Sequence, residues 1–149
     1  TTEQLTDELL SEDENKYHAF LILDVDCFKQ INDIYGHAVG DIVLQKFGKL
    51  LKGTFREGDI LGRIGGDEFG VIMKNIQTKD IAMKKAEELL AKTQAYKIDE
   101  LKGNNISISI GISTAPQDGD CYMDLYKRAD QALYQAKRSG KARVCNYFS

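Results

Sequence analysis

The chain has 149 residues, of which 42% are hydrophobic and 29% charged, and 20 basic against 23 acidic side chains give a net charge of −3. This length suits one domain with a substantial core, and the ordinary apolar fraction excludes an intrinsically disordered protein. The longest early apolar run, residues 19–23, ends at Asp24, so no segment is long enough to span a bilayer, and no signal peptide is visible. The acidic balance gives no case for nucleic-acid binding.

The cysteines of the chain are widely spaced and include no CxxC pair. This spacing favours free thiols in a reducing compartment, and we therefore expect a cytoplasmic location. Because the chain starts with Thr1 rather than Met, we expect it to be a piece of a longer protein, whose other regions could anchor it to a membrane.

The hydrophobic pattern predicts a single domain over residues 1–149, with an acidic N-terminal helix or connector over residues 1–17 and a core over residues 18–149. The core elements, in order, are a strand at 19–25, a helix at 28–35, a turn at 36–41 and a second helix, strands at 60–64 and 69–73, a helix after 78, a strand at 106–112, a helix at 122–139 and a strand at 144–148.

Gly65-Gly66 lies between two of these short strands and predicts a hairpin whose tight turn has positive φ. A hairpin in the middle of the chain favours an α+β fold with a mixed, mainly antiparallel sheet surrounded by helices. The same feature argues against an all-parallel, doubly wound sheet.

Two acidic clusters stand at the ends of predicted strands. Asp24 and Asp26 end the first strand, where alternation places both on one face, and Asp67 and Glu68 follow Gly65-Gly66. If these elements are neighbours in the sheet, Asp24 and Asp67 face each other and form a site suited to Mg²⁺. The alternative is a turn or helix-capping device, which is the commoner role of a short D-x-D motif.

Four ordered segments resemble the GGDEF family of diguanylate cyclases. The family signature stands at residues 65–69 as Gly-Gly-Asp-Glu-Phe. Residues 24–33 resemble its D-x-D-x-F-K-x-x-N-D segment, residues 36–41 resemble G-H-x-x-G-D, and residues 129–137 resemble A-D-x-A-L-Y-x-A-K. The resemblance runs from about Ala19 to the end of the chain.

This resemblance implies a palm-like fold, similar to that of nucleotide cyclases, and a reaction. Two GTP molecules would be condensed into cyclic di-GMP with release of two pyrophosphates, with Mg²⁺ or Mn²⁺ as cofactor. Because one site holds one GTP, the product would form in a transient antiparallel homodimer. The expected partners are therefore GTP, cyclic di-GMP as product and inhibitor, a second copy of the chain and an upstream sensory or regulatory domain.

The resemblance also implies roles for the acidic residues and their neighbours. Asp24, Asp67 and the Val25 carbonyl would hold the metal ion, and Asp67 would also be the base for the 3′-hydroxyl. Glu68 would help to hold metal, and Lys29 would offset charge on the transferred phosphate.

Asn32 and Asp41 resemble the pair that reads guanine, since a carboxylate accepts from guanine N1–H and N2–H₂, which adenine does not offer. The other implied substrate-binding residues are Phe28 through its backbone, His37, Gly66, Lys137 and Lys141. A turn-stabilising role for His37 and a core role for the Phe28 ring are the alternatives. Lys141 stands where the family often has arginine, and it keeps the charge without the planar fork.

Arg56 and Asp59 form an R-x-x-D motif five residues before Gly65, as in the product-inhibition site of the family. Arginine pairs with phosphate or guanine, and aspartate accepts from the guanine edge. The alternative is a solvated turn with an ion pair. The chain departs from the family at its opening, where Leu5-Thr6 is followed by Asp7-Glu8 instead of Gly-Leu.

Three functions are compatible with these motifs. The intact set of acidic and basic positions favours an active diguanylate cyclase. The alternative is a non-catalytic module that binds GTP or cyclic di-GMP and signals through conformation. A polymerase-like palm fragment acting on nucleic acid is disfavoured by the acidic balance and by the lack of a clear basic groove.

Overall fold

The computed structural model describes residues 3–4, 6–7, 10 and 17–147. Residues 17–147 form a five-stranded sheet and four α-helices. The elements are β1 (Tyr17–Val25), α1 (Phe28–Tyr35), α2 (His37–Thr54), β2 (Ile60–Arg63), β3 (Glu68–Ile76), α3 (Asp80–Ala95), a 3₁₀ turn (Asp99–Leu101), β4 (Ile108–Ala115), α4 (Tyr122–Arg138) and β5 (Val144–Asn146).

The strands are arranged in the order β2-β3-β1-β4-β5. The pairs β2–β3, β3–β1 and β1–β4 are antiparallel, and only the edge pair β4–β5 is parallel. The prediction of a mixed, mainly antiparallel sheet with a β-hairpin is therefore confirmed. β1 lies at the centre of the sheet, between β3 and β4.

Helices cover both faces of the sheet, so β1 contributes alternate side chains to two cores. Leu21 and Leu23 pack in the larger core, with side chains of α2 and α3. Phe20 and Ile22 pack in the smaller core, with side chains of α4. Burial on both faces explains why β1 reads as a continuous apolar run rather than as an alternating one.

Helix α4 lies unusually close to the sheet. An added Cβ at Gly111, in β4, would overlap the α4 backbone and lie 2.8 Å from the Leu133 Cα atom. Only glycine permits this approach. Because α4 packs this closely on the sheet, its side chains Lys137 and Tyr126 can contact Asp24 in β1 and Glu68 in β3.

Two local predictions were wrong. The turn predicted at 36–41 is only Gly36, whose φ of 93° separates α1 from a helix that already begins at His37. The hairpin does not depend on positive φ at Gly65 or Gly66, since neither has it. Its loop spans residues 64–67, and a loop of that length does not need the mirror-image turn that a two-residue connection requires.

Residues 3–4, 6–7 and 10 are helical, as predicted for the N-terminal segment. The other predicted helical positions there, including Leu5 and Leu9, and the predicted strand end at Phe148 lie outside the described residues. The division between a connector and a core at residue 17 stays a prediction. No helix in the described ranges has both the length and the apolar character needed to cross a membrane.

Candidate active site

The pairing of β1 with β3 gathers three acidic residues at one end of the sheet. Asp24, near the end of β1, is the register partner of Glu68, the first residue of β3. The Val25 N–H donates to the Asp67 carbonyl at 3.4 Å, so Asp67 lies beside the same strand end. We refer to Asp24, Asp67 and Glu68 as the acidic site.

The two carboxylate oxygens of Asp24 have different surroundings, and the residue is only 6% exposed. Oδ2 accepts a hydrogen bond from the Lys137 ammonium on α4. Oδ1 is buried and receives no hydrogen bond from the described residues. A buried carboxylate oxygen without a donor is unfavourable unless a cation or a proton occupies it. Asp24 therefore suits a divalent cation, for which carboxylate oxygens are preferred ligands.

In the absence of a cation, the surroundings of Asp24 favour its protonated form. Burial, followed by the nearby Asp67 carboxyl, raises the pKa of Asp24 to about 7, although the Lys137 ammonium opposes the shift. Burial tends to lower the pKa of Lys137, but the nearby carboxylates outweigh it and raise that pKa. A cation bound at Asp24 would take the place of the proton that its raised pKa favours.

Asp26 has a structural role instead. Its carboxylate accepts hydrogen bonds from the Ser107 and Ser109 hydroxyls at 2.6 and 2.7 Å and from the Ala142 N–H at 3.1 Å. These contacts join the end of β1 to the start of β4 and to the loop between α4 and β5. Ser109 is the register partner of Asp24, and its hydroxyl donates to Asp26. Asp24 and Asp26 therefore lie on the same face of the sheet, although Asp26 stabilises the fold and Asp24 belongs to the acidic site.

The contact between α1 and α2 places Asn32 against Gly40, the residue before Asp41 in the chain. Gly40 is buried, and a Cβ added there would overlap Asn32 Oδ1 and lie 3.2 Å from the Phe28 ring. Neither the Asn32 nor the Asp41 side chain has a hydrogen-bond partner within the described residues, so both are available to a ligand. The Phe28 ring packs against the larger core, as the alternative interpretation of that residue predicts.

The remaining predicted substrate residues are exposed. Lys29 lies in the first turn of α1, His37 begins α2, and a Cβ added at Gly66 would meet no atom within 4 Å. The Lys141 ammonium contacts the Cys27 sulfur at 3.2 Å, beside the start of α1. Within the described residues, no hydrogen bond or ion pair joins these four residues to the acidic site.

Arg56 and Asp59 contact each other, on the loop before β2. The Asp59 side chain is fully buried and accepts from the Arg56 backbone N–H at 3.2 Å and from its guanidinium at 3.3 Å. Asp59 also accepts from the Lys74 N–H at 3.2 Å, and the Arg56 guanidinium donates to the Lys74 carbonyl. Asp59 therefore stabilises the loop, while the Arg56 side chain remains 55% exposed.

Two residues outside the predicted set contact the site or its loop. The Tyr126 hydroxyl, on α4, donates to Glu68 Oε1 at 2.9 Å. The Arg63 guanidinium donates to the Gly65 and Gly66 carbonyls at 3.2 and 3.1 Å and shapes the hairpin loop. In the sequence, the only indication that Arg63 shapes the loop is its position two residues before Gly65-Gly66. No feature of the sequence indicates the contact of Tyr126 with Glu68.

Comparison with known proteins identifies the family. The family model described as the diguanylate cyclase GGDEF domain matches residues 1–143, and the chain therefore belongs to the GGDEF family. The match includes the N-terminal segment whose opening departs from the family pattern.

A curated relative and two solved structures agree with this family. Diguanylate cyclase A of Treponema denticola is 40% identical over 127 residues, which are 85% of this chain and 34% of that protein. The chain thus spans about a third of the length of this relative.

The GGDEF domain of TpbB (YfiN) from Pseudomonas aeruginosa superposes with a TM-score of 0.93 at 32% identity, covering 99% of this chain and 93% of that one. The GGDEF domain of DgcB from Caulobacter crescentus, in complex with cyclic di-GMP, has a TM-score of 0.86 at 26% identity and covers 96% and 86%. The predicted palm-like α+β fold class is confirmed.

Asp24→Asn is expected to increase the free energy of unfolding in a chelating buffer, and the gain is expected to grow with pH. The native pKa of about 7 lies above the ordinary 3.8, so ionisation of Asp24 destabilises the native state as the pH rises between these two values. At about 1.4 kcal/mol per pKa unit, the gain at about pH 8 is on the order of 2 to 4 kcal/mol. Urea unfolding at about pH 5 and about pH 8 measures it.

The matched control is Asp26→Ala, which removes three hydrogen bonds and is expected to decrease stability at both pH values. A gain for Asp24→Asn that does not change with pH, or a loss at the higher pH, would show that Asp24 is not an unfavourably buried carboxylate.

Proposed function

We propose that this domain is a diguanylate cyclase that condenses two GTP molecules into cyclic di-GMP and releases two pyrophosphates. The observation that carries the proposal is the buried Oδ1 atom of Asp24, which has no hydrogen-bond donor in the described residues and lies next to Asp67. Membership of the GGDEF family and the diguanylate cyclase relative support the same reaction.

Asp24, Asp67 and the Val25 carbonyl would hold Mg²⁺ or Mn²⁺. These residues fit such an ion because hard divalent cations prefer oxygen ligands. When bound, the ion supplies positive charge that stabilises the negative charge on the transferred phosphate. Lys137, which contacts Asp24 in this structure, would then be available to bind the triphosphate.

Asn32 and Asp41 would bind the guanine base. The Asp41 carboxylate accepts hydrogen bonds from guanine N1–H and N2–H₂, so the site favours GTP over ATP. Lys29, which has no ion-pair partner in the described part of the chain, would offset phosphate charge. The backbone of Phe28 and the residues His37, Gly66 and Lys141 are the further contacts proposed for the nucleotide.

Because one site binds one GTP, the reaction requires two domains in an antiparallel homodimer. In each half-reaction the 3′-oxygen of one GTP bonds to the α-phosphorus of the other, and pyrophosphate leaves. Asp67 would accept the proton of the hydroxyl, and Glu68 would help to hold the metal ion. Alignment of the two nucleotides contributes on the order of 7–11 kcal/mol, and an upstream sensory or regulatory domain, in the cytoplasm, would control the encounter.

The domain is expected to convert GTP and Mg²⁺ into cyclic di-GMP, faster when fused to a dimerising coiled coil than when free. Asp67→Asn is expected to reduce turnover by about 100-fold or more, since it removes a general base and a metal ligand. Product chromatography measures both effects, and Asp99→Asn, at an exposed position in the 3₁₀ turn, is the control.

Unchanged turnover in Asp67→Asn would contradict its assigned role. Binding of GTP without any product, even in the fused dimer, would instead favour the non-catalytic regulatory module.

Arg56 and Asp59 are proposed as the product-inhibition site, with different contributions. The exposed guanidinium of Arg56 would bind the phosphate or guanine of cyclic di-GMP, whereas the buried Asp59 holds that guanidinium in place. Binding there would limit accumulation of the product.

Arg56→Ala is expected to weaken inhibition by cyclic di-GMP at least about tenfold while the initial rate stays unchanged, because it removes a bidentate anion contact. Asp59→Ala is expected to lower stability by about 2 kcal/mol as well, since buried donors lose their acceptor. Inhibition curves and urea unfolding separate the two effects, with the exposed Glu57→Ala as control. Equal inhibition of Arg56→Ala and the unsubstituted domain by cyclic di-GMP would contradict the proposed inhibition site.

A further inference from the structure

Tyr126 is a partly buried residue of α4, and it lies outside the family motifs described above. Its hydroxyl donates to Glu68 Oε1 at 2.9 Å. Burial, followed by this hydrogen bond to Glu68, raises the pKa of Tyr126 to about 12. The hydroxyl therefore stays protonated, and remains a donor to the carboxylate, throughout the neutral pH range.

The ring of Tyr126 is held by its neighbours. Its centroid lies 6.2 Å from that of Phe20 and 6.0 Å from that of Tyr122, and Phe20 and Tyr122 meet edge to face at 5.4 Å. The first turn of α4 is also fixed, because the Tyr122 N–H donates to the Asp7 carboxylate at 2.8 Å. The Tyr126 hydroxyl is thus held in position, and the Glu68 carboxylate accepts its hydrogen bond.

The backbone of Glu68 lies beside Asp24, while its carboxylate accepts a hydrogen bond from the Tyr126 hydroxyl. Strand register places the Glu68 and Asp24 backbones side by side, and the Val25 N–H donates to the Asp67 carbonyl, which places Asp67 beside the same strand end. Yet among the described residues the acidic site is not a group of three whose ligand atoms all lie within 4.8 Å of one another. The carboxylate of Glu68 points instead to Tyr126.

We infer that Tyr126 is a positioning residue that holds Glu68 away from the Asp24–Asp67 pair and thereby weakens the affinity of the site for a divalent cation. The inference rests on the proposed metal site. For Glu68 to join a cation held by Asp24 and Asp67, its hydrogen bond to Tyr126 has to break, and a hydrogen bond to a charged group is among the stronger ones in proteins.

Tyr126→Phe tests this inference, because it removes the hydroxyl and keeps the ring. With Mn²⁺ as the probe and no nucleotide present, electron paramagnetic resonance of free Mn²⁺ gives the dissociation constant. Tyr126→Phe is expected to bind Mn²⁺ about three- to tenfold more tightly, as expected for release of one hydrogen bond to a carboxylate. Tyr122→Phe, whose hydroxyl has no hydrogen-bond partner within the described residues, is the control and is expected to leave the constant unchanged.

A second pair of variants assigns the effect to Glu68. In a Glu68→Ala background, Tyr126→Phe is expected to have no influence on Mn²⁺ affinity, because no carboxylate remains to be released. A merely structural tyrosine would change the melting temperature in both backgrounds without this selective change in affinity.

Unchanged or weaker Mn²⁺ binding by Tyr126→Phe overturns the inference, as does an equal gain in the Glu68→Ala background. If the unsubstituted domain itself fails to bind Mn²⁺, the proposed metal site fails and the inference fails with it. The two failures are therefore distinguishable.

Discussion

Burial of a carboxylate at the end of the central strand is the constraint on which the site depends. β1 is covered by helices on both faces, so the polar side chain that ends it loses most of its hydration. Lys137 satisfies one oxygen of Asp24 but not the other, and Asp67 adds a second negative charge beside it. A buried charge that is only half compensated is costly, and a divalent cation removes both the unpaired oxygen and the repulsion.

The surrounding structure separates residues that build the fold from residues left available to ligands. Asp26, two positions from Asp24, is satisfied by three hydrogen bonds and fastens β1 to the loop after α4. Helix α4, packed against β4, supplies two side chains that contact the acidic site, Lys137 and Tyr126. One helix thereby controls the charge of Asp24 and the direction of Glu68.

Much of the fold could be predicted because local patterns determine it. The apolar run of β1, the helical spacing of α2 and α4 and the alternation of β4 each follow from burial on one or two faces. The proximity of Asp24 to Asp67 required knowledge of which strands are neighbours, which the order of elements leaves open. The burial of Asp59 and the hydroxyl contact of Tyr126 depend on packing between distant segments, where an R-x-x-D turn or a tyrosine at helical spacing gives no local signal.

The central claim is that acidic groups from two distant segments hold one divalent cation. The most direct measurement is the stoichiometry of Mn²⁺ binding by electron paramagnetic resonance, for the unsubstituted domain and for the double variant Asp24→Asn/Asp67→Asn. The account predicts one bound Mn²⁺ per domain and its loss in the double variant. Equal binding by both proteins would contradict it.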